Sequence, residues 1–201
     1  MTHLKQWSRG VGIGIVAILL LFTGLIIHEV GHGVTAQWLG GEFRRLYVFP
    51  GVEVWPDPGQ PFEGDWGMRV GVAEIQWGEE WESWQEGLVL LMGSGSTLLV
   101  SCAALAGLWI FRPKHGLAYG FSVIALFYLD ILFYTLMPTW FDLPHWIVFG
   151  GREPEPLIGA EMLGCPRKVF ITLVLIVSIL MTISLAGYWI TQRRRVAEST
   201  G

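Results

Sequence analysis

The sequence predicts a membrane protein of the α-helical class carrying a small β element, and three observations lead there. Apolar residues make up 52% of the 201 positions and charged residues only 15%, a balance that excludes an ordinary soluble domain. Four runs, at about 11–39, 88–111, 117–137 and 169–190, are almost free of charge. Each is long enough to cross a hydrocarbon core at about 1.5 Å per residue, and only helices do so without closing a barrel. The polar segment 41–87 then separates the first two runs and reads as strand. The expectation is a single membrane domain over residues 1–201, with four transmembrane helices, a small β-hairpin or sheet in the loop between helices 1 and 2, and a basic tail at 191–201.

The first run follows Lys5 and Arg9, as the apolar core of a signal peptide follows its n-region. Its length, the lack of an A-x-A-like site and the polar cluster at its end argue instead for a retained span. In the loop, "FRRLYVFPGVEVW" and "MRVGVAEIQW" have strand character and are separated by the breaker-rich "PDPGQPFEGDWG". Trp55, Trp66, Trp77, Trp81 and Trp84 suit the headgroup zone. Two readings stand level: the segment anchors the protein at the interface, or it offers an edge strand to a substrate. Cys102 lies inside the second run and Cys165 just before the fourth, a pattern that gives no disulfide framework. The tail "TQRRRVAESTG" reads as a disordered segment with a basic, membrane-proximal anchor. No nucleic-acid module is present, so the partners expected are the lipid bilayer and a membrane-protein substrate, and the location an integral, multi-pass protein of the cell membrane.

Chemistry concentrates at the end of the first run, in "HEVGH" at 28–32. Residues four apart share one face of a helix, so His28 and His32 can hold one metal ion together while Glu29 sits a step around, beside an open coordination position. This is the pattern of a zinc ion, Zn2+, with its general base: two imidazoles and a third ligand leave the fourth position for a water, whose proton Glu29 takes as a carbonyl is attacked. The bland alternative is a set of mutual hydrogen bonds at a helix end. A carboxylate near the bilayer interior costs roughly 2.5–3.5 kcal/mol on insertion scales, which argues for a partner or a task. His28 stands about 26 Å along a helix from Val11 at 1.5 Å per residue, in the membrane half nearer the strand-bearing loop. Gly24, Gly31, Gly33 and Ala36 on this helix, and Gly93 and Gly95 in "LMGSGSTLL", allow helices to approach closely there.

With "HEVGHGVTAQWLGG" in a membrane helix, a strand-bearing loop after it, "GSGS" in the next helix and a later carboxylate, the chain resembles the site-2 protease family of intramembrane zinc metalloproteases. The resemblance implies a core of three transmembrane helices, cleavage of a peptide bond in a membrane-spanning or membrane-anchored protein, Glu29 as base, and a third ligand supplied in the family by the aspartate of an LDG motif. This sequence has neither an LDG nor any asparagine, which the family commonly carries upstream of that aspartate. Glu155, after a glycine pair in "GGREPEPLIGAEMLG", opens a short apolar stretch ending in glycine, as the family's aspartate does. Asp142, after the proline in "LMPTWFDLPHW", is the alternative third ligand, and Glu155 is preferred. Glu153, Glu161 and Asp130 trail, Asp130 because a carboxylate in the middle of a helix reads as a buried polar contact. His145 is left outside the site. The competing function is a non-catalytic membrane protein of the same fold that binds zinc or a partner helix.

Overall fold

The computed structural model describes residues 2–67, 69–145 and 151–199. Helix α1 runs Thr2–Trp38 and stops where Gly40 takes φ +89. The N–H of Gly41 then closes on Ala36 O at 2.9 Å, a glycine-dependent termination. The chain turns into a three-stranded antiparallel sheet of β1 (Glu42–Val48), β2 (Val52–Trp55) and β3 (Gly71–Gln76), in the order β2-β1-β3. The stretch 43–55 that reads as one strand in the sequence is thus a hairpin folded at Pro50–Gly51, with Gly51 at φ +98. Leu46, Tyr47 and Val48 of the central strand are buried, and Phe62, from the breaker-rich connection, packs edge-on against Tyr47 at 5.0 Å.

Strand β3 is an edge. Val70 O accepts from Phe49 N on the β1 side at 2.8 Å, so alternation along the ladder turns the main-chain groups of Gly71, Ala73 and Ile75 outward, away from β1.

Helix α2 (Ser83–Phe111) begins with Glu82 N bonded to Gln85 Oε1 at 2.9 Å and ends at Arg112, in the left-handed region at φ 46, before Pro113. It is the central pillar, touching α1, α3 (His115–Ala125), α4 (Leu129–Phe141), α5 (Glu155–Met162) and α6 (Arg167–Ser199). A 3₁₀ turn, Leu126–Tyr128, joins α3 to α4. One core packs Leu105 and Leu108 against Tyr128, Met181 and Tyr188; another joins Ile131 to Leu157, Phe170 and Val174, locking α5 between α4 and α6.

Three helical stretches, Ser83–Phe111, Gly116–Phe141 and Arg167–Arg195, are long and apolar enough to cross a membrane. On α6, Leu173, Ile179, Leu180 and Ile183 stay exposed, an apolar surface suited to lipid rather than water. The predicted first crossing falls on α1, and most side chains in the first half of that helix lie outside the described residues. The expected disordered tail is corrected: α6 continues as helix through Ser199, because its residues after Ile190 contain neither proline nor glycine until Gly201.

Candidate metal centre

His28 and His32 lie on the last turns of α1 and both are buried. Their Nε2 atoms are 3.1 Å apart, and Glu155 Oε2, from the first turn of α5, lies 3.5 Å from His32 Nε2 and 3.9 Å from His28 Nε2. Pro154 and Pro156 flank Glu155 and fix where α5 starts. Gly159 sets how close that helix comes to α2, since a Cβ there would lie 2.4 Å from Gly87 O. The three donors could hold a metal ion.

The outer nitrogens decide which way the rings face. His32 Nδ1 lies 2.7 Å from Val89 O on α2; a carbonyl only accepts, so the proton is on Nδ1 and the lone pair on Nε2. His28 Nδ1 lies 2.8 Å from Asp130 Oδ2, which also accepts from Thr97 Oγ1 at 2.8 Å. That places the His28 proton on Nδ1 too. Two imidazole lone pairs therefore face each other at 3.1 Å with a carboxylate oxygen beside them, an arrangement that repels itself unless a cation or a proton lies between. Tetrahedral zinc with bonds of about 2.0–2.1 Å sets donors roughly 3.3 Å apart, and the observed 3.1, 3.5 and 3.9 Å bracket that spacing. The donor set fits zinc.

Glycine makes room for the cluster. A Cβ at Gly93 of α2 would lie 2.2 Å from His32 Nε2 and 2.7 Å from His28 Nε2, so only a residue without a side chain can stand there. One turn of α2 serves as the wall of the site, and Ser96 Oγ, 2.8 Å from Ile27 O, ties the two helices together beside it. Gly95, by contrast, faces its own helix's Met92.

Glu29 is buried, and its Oε2 accepts the outward-facing N–H of Ala73 at 2.9 Å. The strand lies so close that a Cβ at Gly71 would come within 2.6 Å of Glu29 Oε1. A cavity of about 600 Å³ opens here, bounded by Glu29, His32 and Glu155, the free edge of β3, and His145. Burial pushes the His145 imidazole down to about 4 and keeps it neutral.

The structure therefore brings His28, His32 and Glu155 together, sets Glu29, His32 and Glu155 on one cavity, and leaves Asp142 out: its side chain is almost fully exposed and faces Arg152 at 3.9 Å. Asp142 caps α4 at φ 51, and the turn carries it away from the cluster. Glu161 pairs with Arg167 at 3.0 Å, while Glu153 lines the cavity without joining the donors. Asp130 is the residue that sequence reasoning undervalued. Its signal was a lone carboxylate in an apolar helix, which must find a partner when buried. The Val89 carbonyl, a main-chain group, left no signal at all. No protein-family model, no curated protein and no solved structure matches this chain.

Proposed function

We propose that this chain is an intramembrane zinc metalloprotease, with His28, His32 and Glu155 as ligands and Glu29 as the base, cutting a peptide bond in a membrane-spanning or membrane-anchored protein. One observation carries the reading: three donors at zinc spacing with their lone pairs converging, and a buried glutamate from the same helix, a step around, on the cavity beside them. A purely structural zinc site closes its coordination with a fourth protein ligand, and among the described residues no fourth donor joins this group. In this reading α1 is a fourth crossing and the protein is multi-pass, held in the cell membrane.

Zinc bound there supplies Lewis acidity and a water of lowered pKa. Asp130 and the Val89 carbonyl hold both rings in the tautomer that offers Nε2. Glu29 accepts the proton of the attacking water and returns it to the leaving nitrogen, its carboxylate aimed by the Ala73 N–H. The outward main-chain groups of β3 suit an extended segment of substrate, which would pair with them as an added strand.

Elemental analysis of detergent-purified protein tests the reading. Near-stoichiometric zinc is expected in wild type, Glu29→Gln and Asp142→Ala, and its loss in His28→Ala and Glu155→Ala. Well-folded wild type that takes up no zinc when supplied would sink the proposal. Zinc binding together with equal proteolysis by wild type and Glu29→Gln would favour the non-catalytic alternative.

A further inference from the structure

His145 lines the cavity beside the candidate metal cluster, and nothing in the proposed chemistry above uses it. It follows Pro144 after α4, is 5% exposed, and lines the same cavity as Glu29, His32 and Glu155. Its backbone N–H is braced on Gly151 O at 3.2 Å. Its ring stacks on Tyr134, with centroids 3.6 Å apart and planes at 20°. Tyr134 in turn lies 4.6 Å from the His28 ring. Ring contacts through Tyr134 thus link His145 to the proposed ligand His28.

The two ring nitrogens are not equivalent. Nδ1 is sealed from solvent and has no hydrogen-bond partner among the described residues. A proton on it would be a buried donor with no acceptor, the costly arrangement, whereas an unprotonated nitrogen there costs less. The proton therefore belongs on Nε2, which makes no hydrogen bond to the described residues. Gly151, beside Nε2, also lines the cavity; a Cβ there would approach Nε2 to 3.2 Å, so the missing side chain leaves that N–H uncovered. The result is a neutral, rigidly held donor facing the cavity.

We infer that His145 is a catalytic residue whose Nε2–H donates to the carbonyl oxygen of the scissile peptide and stabilises the negative charge that forms on it. This rests on the protease reading. As the water oxygen bonds to the carbonyl carbon, the C=O electron pair moves onto the oxygen facing His145. It returns as the C–N bond breaks, and the proton taken by Glu29 goes to the leaving nitrogen. His145 donates a hydrogen bond throughout and gives up no proton. Donors of this kind act where charge develops, in a site shielded from water.

The test compares full-length, zinc-loaded wild type with His145→Phe, which keeps the stack without the donor, and His145→Gln, which restores a donor. Two probes are used: a quenched-fluorescent membrane-spanning peptide of Leu and Ala, and a phosphinic Ala-Leu isostere, whose two oxygens mimic the tetrahedral carbon's. We expect His145→Phe to keep its zinc and its KM within about twofold. Its kcat should fall on the order of 10²–10³-fold, its phosphinate affinity should fall at least about tenfold, and His145→Gln should recover part of both losses. Turnover and phosphinate binding by His145→Phe at wild-type levels would overturn the inference, as would loss of zinc in both variants, which would make the ring a structural support. Wild type that binds zinc without cutting the peptide would remove the protease reading, and the phosphinate then decides alone. Weaker binding by His145→Phe than by wild type would keep His145 as an oxyanion-facing donor; equal binding, or none by wild type, would end the inference.

Discussion

Asp130 Oδ2 lies 2.8 Å from His28 Nδ1, joining an apolar helix long enough to cross a membrane to a histidine of the candidate metal cluster on α1. The carboxylate is buried and also takes the Thr97 hydroxyl at 2.8 Å, so two helices besides its own depend on it. It stands two residues past the 3₁₀ turn Leu126–Tyr128, in the first turn of α4.

Replacing this carboxylate removes the tautomer control of His28. For Asp130→Ala, zinc affinity is expected to fall about 10–100-fold, the usual effect of losing a hydrogen-bond partner behind a metal-ligating histidine. A competitive zinc titration against a fluorescent chelator checks it, and an affinity equal to wild type would show that Asp130 is a packing residue only.

Gly93→Ala puts a methyl group where the Nε2 atoms of both histidines already lie, 2.2 and 2.7 Å away. Zinc content is expected to drop to background while the helical signal in circular dichroism persists. Gly120→Ala on α3 is the matched control: no heavy atom lies within 4 Å of its Cβ, and a helical Gly→Ala exchange gains roughly 0.5–1 kcal/mol. A Gly93→Ala protein that still held stoichiometric zinc would contradict the packing described.

Ala73→Pro deletes the N–H that Glu29 accepts, and because that N–H faces away from β1 the ladder keeps its bonds. Zinc content should be unchanged, while peptide hydrolysis falls on the order of tenfold to a hundredfold as the base loses its aim. Full activity in this variant would show that Glu29 needs no help from the strand.

Leu157→Ala empties a fully buried position under α5. A cost of about 2–5 kcal/mol is expected from lost contacts and the cavity left behind, together with weaker zinc binding because Glu155 rides on the same short helix. Thermal unfolding with and without added zinc measures both. Lost stability with unchanged affinity would mean that α5 is placed by its prolines alone.

How much of this was legible beforehand follows from the kind of signal each part leaves. "HEVGH" is legible because helix periodicity is local: the spacing alone puts His28 and His32 on one face. Glu155 could be preferred to Asp142 because it follows a glycine pair and opens a short apolar stretch ending in glycine, the pattern the resemblance implies for the third ligand. Partnerships between distant elements leave no local mark. Asp130 with His28, Val89 O with His32, and Ala73 N with Glu29 all join residues far apart in the chain. The β1–β2 fold-back was hidden because Pro50–Gly51 sits inside a stretch that is β-branched and aromatic on both sides. The tail was read from its charge, and charge says little about whether a helix already under way will stop.

The outward edge of β3 has one donor already engaged, the Ala73 N–H held by Glu29. A main-chain N–H serves one strong acceptor well and two poorly. A guest strand laid along this edge while the base stays aimed must therefore fasten at Gly71 and Ile75, skipping the rung between them. Its position is then fixed by distance measured along the strand, whatever side chains it carries. In the protease reading such a site would work as a ruler rather than a reader, choosing its cut by how far a segment has unwound and saying little about which sequence is cut.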